Sequence, residues 1–239
     1  MAIRVAELQL LESFRLLMPL GAVELPFAEQ RLLAFLALQN RPVLRARAAR
    51  KLWFGDGPDR CLRSALWRLS RSGARIVEST RFELRLSDRV SIDVRNQVGT
   101  AERILQGSST DGPMDDWKIL ALELLPDWQD DWVDDERRRL RQLRLHALER
   151  VAVELKKSGR FGEAIEAAGA AVRADPLRES SRRCLIAGFL AEGNQVEALR
   201  EANVYRDLLR REVGTEPTAE FLALLPSNLI PWHAPPLTH

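Results

Sequence analysis

The stretch from Phe27 to Gly73, FAEQRLLAFLALQNRPVLRARAARKLWFGDGPDRCLRSALWRLSRSG, constrains the fold of this chain more than any other. It holds three short helical patterns, broken at Asn40-Arg41-Pro42 and at Gly55-Asp56-Gly57-Pro58. Between Arg41 and Arg75 lie ten Arg or Lys and two Asp, a local charge of +8, whereas the whole chain is only +2. Positive charge gathered on a compact helical unit is the electrostatic mark of a protein that binds a phosphate backbone. The competing reading is a solvated surface that is merely rich in arginine.

In the first helix, Phe27 to Gln39, Leu32, Leu33, Phe35, Leu36 and Leu38 give the broad apolar surface of a buried element. The second, Arg45 to Trp53, can turn Ala46, Ala49, Leu52 and Trp53 inward and leave Arg47, Arg50 and Lys51 in water. Asp59 precedes the third pattern and is expected to cap it. There Leu62, Leu66 and Leu69 recur at i, i+4 and i+7, so Arg60, Arg63, Ser64, Trp67, Arg68 and Arg71 fall on the other faces. The period then changes. Ala74–Glu78 and Phe82–Leu86 read as a hairpin turning at Ser79-Thr80-Arg81, with Val90–Val94 as a third strand. Before the helices, Val5–Leu10, Phe14–Met18 and Ala22–Leu25 read as small antiparallel strands. Three helices and a hairpin are the layout of a winged helix-turn-helix, whose last helix enters the major groove.

The remainder reads as helical. Asn96–Gln106 is a short helix, and a polar break follows from Gly107 to Asp116. Trp117–Leu125 is apolar on one side, and a long helix covers about Asp134 to Ser158. Gly159 and Gly193 are 34 residues apart, as are Ala164 and Ala198. A small residue in the turn and Ala where two helices close is the logic of tetratricopeptide units. Three hairpin units are expected, at 136–174, at 178–212 and in a capping element near 216–225. The tail 226–239 contains four prolines. The fold class read from the sequence is therefore an α+β winged helix-turn-helix domain followed by an all-α tetratricopeptide-like domain. Its expected divisions are 1–94, 95–225 and a Pro-rich tail.

Charge is unevenly placed. Residues 1–94 carry sixteen basic and ten acidic groups, net +6, while residues 111–135 carry nine acidic groups and one Lys, net −8. Acidic charge repels DNA, so the halves are expected to have different work. No P-loop, dinucleotide-binding or G-x-S-x-G fingerprint occurs. His146, His233 and His239 lie in no metal-ligand spacing, so neither cofactor nor metal is expected. Asp130-Asp131 and Asp134-Asp135 fit a helix start better than a catalytic pair. Cys61 and Cys184 imply no disulfide framework, and no run is long enough to span a membrane, so a cytoplasmic protein is expected.

The segments LLAFLALQNRPV (32–43), ARKLWFGD (49–56) and RCLRSALWRL (60–69) resemble an OmpR-type winged-helix output domain. LLPDWQDDWVDDERRRLRQLRLHALE (124–149), SGRFGEAI (158–165), ADPLRESSRRCLIAGFLAEGNQVEALR (174–200) and YRDLLRREVGTEPTAEFLAL (205–224) resemble the bacterial transcriptional activator domain. In that order they resemble the SARP/BTAD group of bacterial transcriptional regulators, named after Streptomyces antibiotic regulatory proteins. The chain departs from many relatives in two places. The wing turn Glu78–Phe82 has no glycine, and the second helix starts at Leu44-Arg45, where Ser or Thr caps are common.

The resemblance implies a reader of promoter direct repeats, a homodimer on double-stranded DNA, contact with RNA polymerase or a sigma factor, and activation. On that reading Arg63 and Ser64 contact base edges, Arg60, Arg68 and Arg71 contact phosphates, and Arg81 contacts DNA from the wing. Trp67 either covers the helix flank or touches sugars and thymine methyl groups. Trp53, Trp128 and Trp132 are expected in packing. The acidic residues 127–136 either face the polymerase or serve only as a helix cap beside the basic domain. The rival class is a tetratricopeptide scaffold whose basic N-terminal domain binds an acidic protein. A scaffold has no need of exposed arginines on a third helix followed at once by a hairpin.

Overall fold

The computed structural model describes residues 6–39, 41–55, 57–71, 76–107 and 114–225. Asn40, Asp56, the segments 72–75 and 108–113, and the tail with His233 and His239 lie outside them. The chain forms two compact units, Met1–Gly99 with Leu122–Leu140, and Thr100–Ala121 with Arg141–His239.

The first unit opens on strands β1 (Ala6–Gln9), β2 (Arg15–Met18) and β3 (Gly21–Val23), paired antiparallel in sequence. Helices α1 (Phe27–Ala37), α2 (Arg45–Leu52) and α3 (Pro58–Arg71) follow, separated by β4 (Val43–Leu44). The hairpin comprises β5 (Val77–Ser79) and β6 (Glu83–Leu86), and β4 joins β6 to make a three-stranded sheet. That two-residue strand was too short to stand out as a pattern. It ties the chain between α1 and α2 to the wing through Val43 opposite Leu84.

Strand β7 (Val90–Ile92) does not extend the hairpin, contrary to the sequence expectation. It lies parallel to β1, with Ala6 opposite Val90 and Leu8 opposite Ile92. The reason is the next residue. Asp93 begins α4 (Asp93–Leu105), and its carboxylate accepts the Leu10 amide at 2.9 Å, the Leu11 amide at 2.9 Å and the Val94 amide at 2.7 Å. The Leu10 and Leu11 amides lie where β1 ends and the Val94 amide where α4 begins, so the carboxylate closes the ladder and starts the helix together. Burial pushes the Asp93 carboxyl above its ordinary pKa, although the amides pull it the other way. Leu11 bridges to Leu124, and the Leu125 amide donates to the Leu10 carbonyl at 2.9 Å. This brings 122–140 into the first unit.

That segment carries the aromatic cluster. Trp128 stacks on Phe14 and meets Phe27 edge-on, while buried Trp132 meets Phe35 edge-on. Arg137 donates to the Leu124, Leu125 and Trp128 carbonyls, and Arg31 pairs with Asp130. Trp128 and Trp132 are thus packing residues, as the sequence suggests.

The second unit is helical: α5 (Asp131–Lys157, whose first part belongs to the first unit), α6 (Phe161–Ala174), α7 (Glu179–Glu192), α8 (Gln195–Glu212) and α9 (Ala219–Leu222). A short 3-10 helix, Met114–Ala121, takes the place of the apolar run read at Trp117–Leu125. Buried Arg144 donates to its Leu120 carbonyl at 2.8 Å. The 34-residue spacing has a structural counterpart. After α5, the Gly159 amide donates to Lys156 and the Arg160 amide to Leu155; after α7, the Gly193 amide donates to Leu190 and the Asn194 amide to Phe189. Both are Schellman turns, with φ +76° at Gly159 and +90° at Gly193, a region that favours glycine. Ala164, Ala167, Ala168 and Ala171 bury the inner face of α6. A Cβ on Gly188 of α7 would meet Ile165 Cγ1 at 3.0 Å, so glycine sets how closely α6 and α7 approach.

Glu149 on α5 accepts from Arg178 at 2.8 Å, Ser180 Oγ at 2.6 Å and Ser181 Oγ at 2.7 Å, and so ties α5 to α7. Burial pushes its carboxyl up, but Arg178 and the two hydroxyls together hold it below the ordinary carboxylate value. Within the first unit, Glu29 of α1 is fully buried and paired with Arg68 of α3, whose side chain is 47% exposed. Glu29 lies on the face of Leu32, Leu33 and Leu36, so α1 offers α3 a carboxylate inside an apolar patch.

Two outcomes follow. Replacing Glu149 by Ala should lower the unfolding free energy by about 1–3 kcal/mol near neutral pH. Because the folded pKa is depressed, that gap should be full above about pH 4.3 and close as pH falls through the folded value, measured by denaturant titration at several pH values. Arg68→Ala leaves Glu29 buried and unpaired and should cost about 3 kcal/mol. Glu29→Gln leaves Arg68 able to reach water and should cost about 1 kcal/mol. Equal losses would show that the pair is not asymmetric in this way.

Candidate nucleic-acid interface

Helix α3 follows a turn that only glycine makes cheaply. Gly55 and Gly57 have φ of +88° and +97°. The Gly57 carbonyl accepts the Arg60 amide at 2.9 Å and the Cys61 amide at 3.2 Å. The helix begins at Pro58, which has no N–H to leave unsatisfied, and Asp59 lies within the first turn. Asp59 is therefore not the residue before the helix that the sequence suggested. Its charge still favours the helix start through the dipole.

The helix is divided lengthwise. Leu62, Ala65 and Leu69 are buried, while Arg60, Cys61, Arg63, Trp67, Arg68 and Arg71 are exposed and Ser64 is half-buried. At 3.6 residues per turn, Arg60, Ser64, Trp67 and Arg71 lie along one stripe opposite the buried line, with Arg63 beside it. The Arg71 guanidinium lies over the Trp67 ring at 5.1 Å. Among the described residues, no carboxylate pairs with Arg60, Arg63 or Arg71. Arg68 leaves this set in part. Its Nε donates to Glu29, and its terminal nitrogens remain on the exposed side chain.

The wing turn manages without glycine because Thr80 folds it. The Thr80 hydroxyl oxygen accepts the Phe82 amide at 3.3 Å and the Glu83 amide at 3.0 Å, and the Thr80 amide donates to the Glu83 carbonyl at 2.9 Å. No residue of the turn has positive φ. Arg45 braces it from α2, donating to Ser79 Oγ at 2.6 Å and to the Thr80 carbonyl. The Arg45 amide donates to the Phe82 carbonyl at 2.8 Å, so the wing satisfies the helix start that no side chain caps. Arg81 is exposed at the tip, with its guanidinium 5.4 Å from the Phe82 ring, and Phe82 is itself exposed.

The sequence placed Arg45 at a helix start and Thr80 in the hairpin turn but assigned neither a part in bracing the wing. Thr followed by two residues and then Glu at a strand start is a legible turn signal, whereas nothing local links Arg45 to it. Four residues of the acidic segment are engaged in ion pairs, three of them with a partner one helical turn away. Asp130 pairs with Arg31, Asp134 with Arg137, Asp135 with Arg138 and Glu136 with Arg139. This fits the helix-start reading of these residues rather than a free acidic surface. Among the described residues, no group of three or more His, Cys, Asp or Glu could hold a metal, and no helix is long and apolar enough to cross a membrane.

Residues 109–226 match the family model of the bacterial transcriptional activator domain. No curated protein matches the chain. Among solved structures it is similar to Mycobacterium tuberculosis EmbR, determined in complex with a low-affinity phosphopeptide. The TM-score is 0.68 at 19% identity, over 92% of this chain and 64% of that one. The chain thus spans less than two thirds of the EmbR chain, and at this identity the likeness is one of fold. Residues 109–226 are thus a bacterial transcriptional activator domain, and they belong to a chain in which an α+β unit is followed by helical hairpins, with the fold of EmbR.

Proposed function

We propose that the chain is a sequence-specific DNA-binding transcriptional regulator, with residues 1–94 as the DNA-binding domain and 95–225 as the activator domain. The observation that carries this reading is the exposed cationic stripe of α3, followed in the chain by a braced wing. An α-helix fits the major groove, and exposed arginines along its outer face meet phosphates and base edges there. Arg63 and Ser64 are assigned to base edges and Arg60 and Arg71 to phosphates. Arg68 adds a phosphate contact through its terminal nitrogens while Nε holds Glu29. Arg81 reaches a minor groove or flanking phosphate. Two protomers occupy direct repeats, since one winged helix covers only a short site. The activator domain meets RNA polymerase or a sigma factor and raises transcription.

Genome-wide binding combined with in vitro transcription from the strongest bound promoter tests the whole reading. The expected result is a repeated motif and increased transcript. Bound promoters with unchanged or reduced output would defeat activation alone, and sedimentation showing one protomer per two-repeat site would defeat the dimer. On the site recovered, Arg63→Ala should weaken binding by about 1–3 kcal/mol and relax one base position, leaving random DNA little affected. Equal weakening on both would make Arg63 a backbone contact. Arg81→Ala should lose footprint protection beside the main site, and an unaltered footprint would remove the wing from the interface.

A further inference from the structure

One side chain on the outward stripe of α3 is unsuited to a phosphate backbone. Trp67 is 60% exposed, and it lies one turn after Ser64 and one turn before Arg71, opposite the buried line of Leu62, Ala65 and Leu69. Of the two roles open to it in the sequence, the helix flank and the outer face, that placement favours the outer face. Arg71 stacks on its ring at 5.1 Å, which orients the indole and restricts its motion. Arg60 and Arg63 stand on the preceding turns of the same surface. A partner for this patch must be anionic around the rim and apolar at the centre. In the major groove the phosphates supply the first requirement, and the C5-methyl of thymine is the apolar group that base edges present.

We propose that Trp67 is a specificity-determining residue that packs against thymine C5-methyl groups in the major groove, with Arg71 as its positioning residue. This rests on the DNA-binding reading and adds what the helix selects. The flanking arginines hold the helix in the groove whatever the sequence. Trp67 makes a site with thymine beneath it better than one with cytosine, because cytosine leaves the indole face against a polar edge.

The test uses the full chain and a duplex enriched by it from a random-sequence DNA pool. Each thymine is replaced in turn by deoxyuridine, which removes only the methyl group. Wild-type binding should weaken about 4-fold at one or two positions, the effect of one buried methyl-sized group. Trp67→Ala should bind the parent duplex more weakly and lose nothing further at those positions. Methyl removal that costs Trp67→Ala as much as wild type would overturn the proposal. So would a wild-type scan with no sensitive thymine, a measurement that needs no variant to fold. Trp67→Ala that binds every duplex like wild type would also overturn it and assign the indole to a protein partner. Failure to enrich any duplex would overturn the DNA-binding reading itself, and this proposal with it.

Discussion

The ion pair between buried Glu29 and Arg68 ties α1 to α3, the helix that carries the outward arginines. A carboxylate buried on the apolar face of α1 is costly unless a cation meets it, and the cation comes from α3. Apolar contacts between α1 and α3 tolerate small rotations of one helix against the other, since they are non-directional. A hydrogen-bonded ion pair is directional, and this one adds a polar tie between α1 and α3 to the apolar contacts. Beside it Leu62, Ala65 and Leu69 face inward and Arg60, Ser64, Trp67 and Arg71 lie on the opposite side, as their helical spacing requires. The same pairing divides the arginines of α3. Arg68 serves the fold through Nε, while Arg60 and Arg63 are left to the surface.

The wing depends on a second arginine in the same way. Arg45 starts α2 without a side-chain cap, and its backbone amide finds the Phe82 carbonyl of the hairpin. Its guanidinium then holds the Ser79–Thr80 corner. The turn residue missing in this chain, glycine, is replaced by hydroxyl chemistry at Thr80, which satisfies two amides without positive φ. The wing is therefore attached to the helix-turn-helix by hydrogen bonds at its turn and by the β4–β6 ladder at the start of β6.

The helical unit follows a different rule. The inner face of α6 is mostly alanine and meets Gly188 of α7, so these two helix backbones come close, and polar groups at the margins tie the helices together. Glu149 gathers Arg178, Ser180 and Ser181, and buried Arg182 pairs with Glu201 between α7 and α8. Tyr205 donates to the Leu177 carbonyl and packs on Phe221, which brings α9 against the last hairpin. These contacts let short repeats, none able to bury its own apolar face, share one continuous core.

The sequence by itself determined the helices, their breaks, the 34-residue repeat and the outward arginines of α3. All of these are local or periodic signals: glycine and proline punctuation, leucines at helical spacing, and glycines that end α5 and α7 in the same turn. The wing hairpin was legible for the same reason. Only the tertiary structure decided the pairings between distant residues. Glu29 and Arg68 are 39 residues apart, Arg45 and Ser79 are 34 apart, and Asp93 and Leu10 are 83 apart. Val90–Ile92 has the composition of a strand, but its composition does not say whether β6 or β1 is its partner. Asp93 and the end of β1 decide that in space. Trp67 shows the same limit. Its spacing allowed both the flank and the face, and the packed structure leaves it exposed opposite the buried line of α3. Hydrophobic period tells which side of an element is buried, whereas the choice of partner is set by charge and hydrogen-bond geometry that no local pattern encodes.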